Sequence, residues 1–173
     1  MKYFFNFQNL EYKPVQASQS YASVAILIYK NSEILFIKRS YEMPTHKGQI
    51  AFPGGRHEQE DKSIIETATR EACEELLIEN SDIKPFGIMD SFDTVEYKFN
   101  VYPVLCNLLN KPYSFNKKEV QNVFYVPVVD LMNKNNWNYR GRYEGDWIYH
   151  IEDEVLWGAT ANMVKRLFNL NLV

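Results

Sequence analysis

The sequence has few cysteines, no long hydrophobic run and no excess of charge of either sign. Its two cysteines, Cys73 and Cys106, do not have the C-x-x-C spacing of a metal site. No apolar stretch approaches the ~20 residues that a helix needs to cross a bilayer, so a membrane span is excluded. The 19 basic and 22 acidic residues leave a net charge of −3 without a block of like charges, which argues against a nucleic-acid binder.

The cysteine usage and the amino terminus predict a cytoplasmic protein. The first residues contain no long apolar stretch followed by a small-residue cleavage site. Buried thiols are the default in a reducing compartment, and a single disulfide between Cys73 and Cys106 is the alternative. Cys73 lies between acidic residues but off their helical face, so we expect it to be a packing residue rather than a nucleophile.

The length and the lack of a linker predict one domain. The chain has 173 residues, within the range of an ordinary domain, and no repeat, low-complexity tract or Pro/Gly/Ser-rich segment interrupts it. We therefore expect a single domain over residues 1–173, with residues 1–20 as an N-terminal arm that packs onto it.

Hydrophobic patterning predicts an α+β sandwich. Two β-rich runs, residues 21–29 and 33–39, are separated by a short polar break that suits a hairpin. Pro53-Gly54-Gly55 is expected to end a strand and to free the backbone for a loop. Further strands are predicted over residues 84–90, 98–109, 123–128, 137–143 and 147–152, and a closing helix is predicted over residues 158–170.

The best-defined helix is predicted from residue 63 to about residue 78. Ser63 and Glu66 form a capping box, and apolar residues then recur at helical spacing. Because residues three and four apart share a helical face, Glu71, Glu74 and Glu75 converge on one side. Carboxylate oxygens favour Mg²⁺ or Mn²⁺ over zinc, and a solvated acidic face is the alternative interpretation of such a cluster.

The glycine turn, the capped helix and its acidic face together resemble the Nudix box of the Nudix hydrolases. That pattern is Gly, five residues, Glu, seven residues, Arg-Glu, an aliphatic residue, any residue, Glu-Glu, any residue, Gly and an aliphatic residue; it is matched over residues about 54–78. Asp61 stands where the first Glu is usual, with one extra residue before Arg70, and Leu77 replaces the late glycine. Because Leu resists a left-handed C-cap, the helix is expected to run on toward Asn80.

An upstream stretch is similar to the signature of the coenzyme A diphosphatase subgroup. The signature is Leu-Leu-Thr-x-Arg-Ser, three residues, Arg, three residues, Gly, three residues, Phe-Pro-Gly-Gly, and the spacing agrees throughout. Phe36 and Ile37 depart from it, and Pro44 stands where the second Arg is usual. Since proline has no side-chain donor, recognition of one substrate phosphate would then fall to His46 or Lys47.

Two later stretches extend the resemblance over most of the chain. The segment from Glu119 to Pro127 is similar to the segment that follows the box, and the segment from Trp157 to Ala161 is similar to the Trp-Gly-x-Thr-Ala helix start of the subgroup. The resemblance implies a Nudix-type α/β/α sandwich with a mixed β-sheet.

The same resemblance implies metal-dependent hydrolysis of the diphosphate bond of coenzyme A or acyl-CoA to 3′,5′-ADP and (acyl-)4′-phosphopantetheine, with Mg²⁺ or Mn²⁺ as cofactor. One alternative is a pyrophosphatase that acts on ADP-ribose or another nucleoside-diphosphate sugar. Another is a catalytically idle nucleotide-binding regulator. The expected partner is a small nucleotide, and a homodimer is left open.

The expected site has metal-binding, catalytic and substrate-binding groups. Glu71, Glu74 and Glu75 are the metal ligands, with Glu71 and Glu75 first because their i,i+4 spacing points both at one ion. The catalytic set is Glu74, Arg70 and Glu119. Either Glu74 or Glu119 is expected to accept a proton from the attacking water, and Arg70 is expected to be held by Glu66 and Glu74. Arg39 is expected to clamp a phosphate remote from the bond that is cut. The predicted substrate-binding residues are Arg39, His46, Lys47, Gly48, Gln49, Phe52, Gly54 and Gly55.

Overall fold

The computed structural model describes residues 5–10, 21–93 and 100–172. Its strands, in chain order, are β1 (Gln8–Asn9), β2 (Tyr21–Tyr29), β3 (Glu33–Arg39), β4 (Ile50–Ala51), β5 (Gly54–Arg56), β6 (Ile83–Ile88), β7 (Phe92–Asp93), β8 (Asn100–Leu108), β9 (Val120–Pro127), β10 (Trp137–Tyr139), β11 (Trp147–Ile151) and β12 (Glu154–Leu156). The α-helices are α1 (Ile64–Leu76), α2 (Val128–Met132) and α3 (Gly158–Leu167), and short 3₁₀ turns lie at Asn80–Asp82 and Lys134–Asn136.

The strands form one large mixed sheet and one small antiparallel sheet. Along the order β1-β6-β8-β2-β3-β4, β2 and β8 run parallel and the other neighbours are antiparallel. In addition, β5 pairs with β2, β7 with β8, and β9 with β3. The small sheet has the order β10-β11-β12. The predicted hairpin between β2 and β3 is confirmed.

Both faces of the large sheet are buried, which explains why β2 appears in the sequence as an almost unbroken apolar run. Along β2, Ala25 and Leu27 pack toward α1, whereas Ile26 and Ile28 pack toward α2, α3 and the small sheet. Strand β3 alternates in the same way. The predicted α+β sandwich with a mixed sheet is therefore confirmed.

The described part of the predicted N-terminal arm contacts the sheet and α3. Gln8 and Asn9 pair with Ile88 and Gly87, and the Asn6 amide donates to the Leu167 carbonyl at 2.8 Å. The remainder of the arm, residues 1–4 and 11–20, lies outside the described residues. No helix in the described ranges is long and apolar enough to cross a membrane.

The prediction that Pro53-Gly54-Gly55 opens a loop is wrong, because both glycines begin β5. Gly54 pairs with Val24 and Gly55 with Ser23. A Cβ on Gly54 would lie 2.4 Å from the Ser23 carbonyl oxygen and 2.6 Å from the Val24 Cα. The absence of a side chain therefore allows β5 to approach β2 closely enough to pair.

The prediction that α1 runs on toward Asn80 is also wrong. Leu77 itself adopts the left-handed conformation, with φ 51° and ψ 46°, and ends the helix. The amides of Leu77 and Ile78 both donate to the Cys73 carbonyl, and the latter bond is the six-to-one bond of a Schellman motif. These bonds offset a conformational cost of about 1–2 kcal/mol, and the exposed Leu77 side chain meets little resistance. Asn80 lies in the following 3₁₀ turn.

Candidate active site

Helix α1 is held at its start by a cap and along its length by small residues. The Ser63 hydroxyl accepts a hydrogen bond from the Glu66 amide at 3.2 Å, as predicted. The Glu66 carboxylate accepts from the Lys62 amide at 2.6 Å, one residue before the position of a standard capping box. Ala68 and Ala72 face the sheet, so the helix packs close to β2 and turns its glutamates toward β5.

The Arg70 guanidinium joins α1 to the preceding loop. Its Nε and Nη2 donate to the two carboxylate oxygens of Asp61 at 2.9 and 3.0 Å, in a bidentate pair. Nη1 donates to Glu71 at 3.0 Å and to Glu74 at 3.3 Å. The expected contact with Glu74 is therefore present, but the expected contact with Glu66 is wrong because Glu66 turns back to cap the helix.

Asp61 is the anchor of this loop. Besides Arg70, its carboxylate accepts hydrogen bonds from the Glu58 amide at 3.0 Å and the Thr67 hydroxyl at 2.9 Å. Burial alone would raise the pKa of Asp61, but these hydrogen bonds and the positive charge of Arg70 lower it to about 2. The carboxylate is therefore ionised throughout the neutral range.

Glu75 lies behind the glycine turn. Its side chain is 1% exposed, and its Oε2 accepts a hydrogen bond from the Gly54 amide at 3.0 Å. The Arg39 Nη1 lies 3.9 Å from its Oε1. Burial raises the pKa of Glu75 to about 8, against the opposing effects of the Gly54 hydrogen bond and the Arg39 charge.

Glu71 occupies the space that a side chain at residue 55 would fill. A Cβ on Gly55 would lie 2.4 Å from the Glu71 carboxyl carbon. Burial raises the pKa of Glu71, while the adjacent Arg70 opposes that change. Each of the two glycines therefore makes room for, or binds, one glutamate of the helix.

Glu119 joins this pair of carboxylates from another part of the chain. It lies in the turn before β9, where its Oε1 accepts a hydrogen bond from the Asn116 side-chain amide at 2.8 Å. Its negative charge raises the pKa of both Glu71 and Glu75, so the three groups lie within electrostatic range. Glu74 is instead exposed on the outer side of α1, beside Arg70.

The donor set suits a hard divalent cation, although the carboxylates are not arranged around one. Over residues 5–10, 21–93 and 100–172, no group of three or more His, Cys, Asp or Glu side chains is close enough to hold an ion. All available donors are oxygens, as Mg²⁺ and Mn²⁺ prefer. A cation beside Glu75 would also stabilise a buried carboxylate that has a single hydrogen-bond donor and one distant arginine. The residues therefore fit the predicted metal by their chemistry.

The loop over residues 40–48 carries three of the predicted substrate-binding residues, His46, Lys47 and Gly48. It is closed by two backbone hydrogen bonds, from the Arg39 amide to the Gln49 carbonyl at 2.9 Å and from the Gly48 amide to the Arg39 carbonyl at 3.1 Å. Gly48 and His46 both adopt positive φ, of 67° and 54°. Lys47 is exposed at the turn. The loop therefore holds His46 and Lys47 on a short, closed turn next to Arg39.

Arg39 and Phe52 do not lie where the sequence placed them. Arg39 contacts Glu75 of the acidic cluster, so it is not remote from the carboxylates, and its buried Nε has no hydrogen-bond partner among the described residues. Phe52 is buried in the core, where its ring stacks on Phe36 with 4.8 Å between centroids. Phe52 is therefore a core residue and does not offer its ring to a ligand.

Both cysteines are free thiols, so the alternative of a disulfide between them is not realised. Cys106 is buried, and Cys73 is half-buried against the core between α1 and the sheet. Burial raises the pKa of both thiols, which keeps them protonated and unreactive at neutral pH. Cys73 packs as expected.

Sequence reasoning missed two contacts of the site. Asp61 was identified as a departure from the box, but not as the main partner of Arg70. Its position, where the pattern has its first acidic residue, was the signal that could have indicated this pairing. The contact of Asn116 with Glu119 had no signal, because no motif contains Asn116.

Comparisons with known proteins find the same family that the motif and the fold indicate. The family model of the NUDIX domain matches residues 20–144. Two similar bacterial proteins carry the name uncharacterized Nudix hydrolase NudL. The protein of Escherichia coli O7:K1 is 32% identical over 154 residues, which cover 84% of this chain and 80% of that protein. The protein of Pectobacterium atrosepticum is 32% identical over 169 residues, which cover 90% and 84%.

Two solved structures have a similar fold. DR0079 from Deinococcus radiodurans gives a TM-score of 0.57 at 16% identity, covering 91% of this chain and 90% of that one. The Ap4A hydrolase of C. elegans, solved as a binary complex, gives a TM-score of 0.53 at 19% identity, covering 64% and 83%. At these identities the likeness concerns the fold alone.

Proposed function

Because this chain belongs to the Nudix hydrolase family, we propose that it hydrolyses the diphosphate bond of coenzyme A or acyl-CoA, giving 3′,5′-ADP and (acyl-)4′-phosphopantetheine. The family makes the chain a hydrolase that acts on a nucleoside diphosphate derivative. Coenzyme A is one such derivative, and the proposal concerns this choice of substrate. A cytoplasmic location and a homodimer remain predictions.

The position of Arg39 carries the proposal. Arg39 belongs to the stretch that is similar to the coenzyme A diphosphatase signature, and it reaches Glu75 of the Nudix box at 3.9 Å. Its Nε is buried and lacks a partner among the described residues, so the guanidinium retains donors for a further anion. A phosphate oxygen is the ligand that a guanidinium binds best in such a position.

The carboxylates around the glycine turn would hold the metal. Glu71 and Glu75 are the proposed ligands, and Glu119 lies within electrostatic range of both. When bound, Mg²⁺ or Mn²⁺ supplies neutralisation of the diphosphate charge and a water of lowered pKa. Glu74 is the third predicted ligand. Because it lies beside Arg70 on the exposed side of α1, we do not include it among the residues that would bind the metal directly.

The protein side chains account for orientation and proton transfer. Arg70 holds the Glu71 carboxylate through Nη1, so that the acid faces the glycine turn. Arg39 binds a phosphate oxygen next to Glu75. We propose that Glu119, rather than Glu74, accepts the proton of the water that attacks the diphosphate. The charge of Glu119 acts on both carboxylates of the turn, and its own orientation is fixed by Asn116.

A second candidate substrate is ADP-ribose or another nucleoside-diphosphate sugar. Pro44 favours it, because this position supplies no donor for the phosphate that the usual arginine of the subgroup would bind. A charge-assisted hydrogen bond that is missing costs about 1.5–3 kcal/mol, or about ten- to a hundredfold in affinity. Coenzyme A hydrolysis would then depend on His46 or Lys47.

A substrate panel tests the proposal. Coenzyme A, ADP-ribose, dinucleoside polyphosphates and NADH are incubated with the protein, with and without Mg²⁺, and products are identified by mass. We expect 3′,5′-ADP from coenzyme A and a dependence on Mg²⁺. Faster hydrolysis of ADP-ribose than of coenzyme A would make ADP-ribose the substrate in place of coenzyme A. Nucleotide binding without turnover of any compound would favour the idle regulator.

The Pro44→Arg variant separates the two substrates. We expect it to improve kcat/KM on coenzyme A and to leave a substrate without a 3′-phosphate nearly unchanged. Its melting curve provides the control that the loop still folds. If the parent prefers ADP-ribose and Pro44→Arg keeps that preference, coenzyme A is the wrong substrate.

A further inference from the structure

Tyr41 is an exposed aromatic residue that is nevertheless held in place. Its side chain is 60% exposed, in the loop over residues 40–48. The edge of the ring lies against Gly48, where a Cβ would be 2.8 Å from Cε1 and 2.9 Å from Cζ. The Lys38 ammonium lies 5.4 Å from the ring centroid. The Tyr41 ring is therefore held by Gly48 and Lys38, and its remaining surface is exposed and accessible to a ligand.

Lys38 is itself fixed from a distant part of the chain. Its ammonium forms a salt bridge with Glu154 of β12, and both side chains are mostly buried. Lys38 and Arg39 diverge at the end of β3, where the pairing with β9 shifts register between them. Arg39 turns toward Glu75 and α1, whereas Lys38 turns toward the small sheet and supports Tyr41.

Tyr41 is close in the chain to residues of the acidic site. Arg39 is two residues before it, and the Ser40 amide between them donates to the Glu119 carbonyl at 2.8 Å. Two residues span at most about 7 Å of chain. The Cα atoms of Arg39 and Tyr41 therefore lie within about 7 Å of each other at the end of β3, close enough for one nucleotide to contact both side chains.

We propose that Tyr41 is the residue on which the adenine base of the substrate stacks, and that Lys38 and Glu154 are positioning residues that fix its ring. Every base has a flat face that stacks on an aromatic ring, and a tyrosine offers this area with little conformational freedom to lose. Neither a phosphate nor the pantetheine chain has such a face. The proposal rests on the proposed function in that the substrate is an adenine nucleotide.

Two ligands that differ only by the base test the stacking. AMP and ribose 5-phosphate are titrated by ligand-observed NMR against the parent protein, Tyr41→Leu and Tyr41→Phe. We expect Tyr41→Leu to weaken AMP about 5- to 100-fold and to change ribose 5-phosphate by less than twofold, whereas Tyr41→Phe keeps the parent affinities. Tyr113→Leu, at another exposed tyrosine, is the matched control and should change neither.

The opposite results overturn the proposal. These are an unchanged AMP affinity in Tyr41→Leu, an equal loss for both ligands, or a parent that binds AMP no better than ribose 5-phosphate. Because binding is measured without turnover, the outcome is independent of which diphosphate is cleaved. If coenzyme A is not hydrolysed but Tyr41→Leu loses AMP, the proposed function fails and the stacking role stands.

The positioning role of Lys38 has its own test. Lys38→Met should raise KM for the adenine substrate without lowering kcat, because it loosens the ring and leaves the carboxylates intact. Lys38→Arg should restore KM, since arginine can keep both the salt bridge with Glu154 and the contact with the ring. An unchanged KM in Lys38→Met, or a fall in kcat alone, would remove Lys38 from this role.

Discussion

Replacing Asp61 with asparagine tests the salt bridge that ties the loop before α1 to the helix. The substitution keeps the shape of the side chain but removes its charge and turns one acceptor oxygen into a donor. In the parent, the two carboxylate oxygens face two N–H groups of Arg70 at 2.9 and 3.0 Å. One of these pairs would become a contact between two donors.

The burial of the pair sets the size of the expected effect. Breaking a fully buried ion pair costs about 3–5 kcal/mol, whereas an exposed pair contributes about 0–1 kcal/mol. The Asp61 side chain is 5% exposed and that of Arg70 is 21% exposed, so the pair lies between these limits. We expect a loss of about 2–3 kcal/mol in the free energy of unfolding, which in a chain of this size lowers Tm by about 4–12 °C.

Thermal unfolding followed by circular dichroism measures this loss. Glu58→Gln is the matched control, because Glu58 lies 3.7 Å from the same guanidinium but is mostly exposed. We expect the control to lower Tm by at most about 4 °C, and by less than Asp61→Asn does. If Asp61→Asn melted no lower than the control, the pairing of Asp61 with Arg70 would not be the anchor of the loop.

The same pair predicts a dependence on pH. The folded-state pKa of Asp61 is about 2, below its ordinary value of 3.8. Its contribution to stability is therefore complete above about pH 4 and is lost as the pH falls toward about 2. Acid titration of unfolding should show a steeper loss in the parent than in Asp61→Asn over this interval, and parallel curves would contradict the assignment.

Three further substitutions test the site and the end of α1. Glu75→Gln should lower turnover at saturating Mg²⁺ at least ~100-fold while keeping Tm, because the amide oxygen can still accept from Gly54; unchanged turnover would remove Glu75 from the metal site. Gly55→Ala should lower kcat on the order of 10- to 100-fold, because its Cβ would displace the Glu71 carboxylate, and full activity would contradict that contact. Leu77→Gly should raise Tm by about 2–8 °C by relieving the left-handed conformation, whereas a lower Tm would show that the leucine side chain stabilises the fold.

The sequence predicts the parts of the site that depend on local spacing. The cap at Ser63, the glutamates of α1 and the hairpin of β2 and β3 follow from periodicity and turn chemistry, because each involves residues close in the chain. The identity of the metal and of the substrate does not follow from local spacing, and both remain predictions.

Contacts between distant segments could not be predicted in this way. Lys38 and Glu154 are 116 positions apart, and no periodicity connects them. The partner of Arg70 was predicted among residues on its own helix, whereas the structure supplies Asp61 from the loop. The intrinsic cost of a left-handed leucine does not predict where α1 ends, because hydrogen bonds at the helix end offset that cost. The contact of Lys38 with Glu154 is tertiary and has no local pattern, whereas the end of α1 depends on local hydrogen bonds whose contribution the residue types alone do not show.

The parallel pairing of β2 with β8 has a consequence for the order in which the protein folds. The paired residues are separated by roughly 80 positions, so the pairing closes a large loop before its contacts can offset the lost chain entropy. The hairpin of β2 and β3 and the packing of α1 against β2 need much shorter loops. The glutamates of α1 can therefore meet the glycine turn early, and we expect closure of the sheet by β8 to limit the folding rate. Folding should be slower than in helical proteins of similar length for this reason.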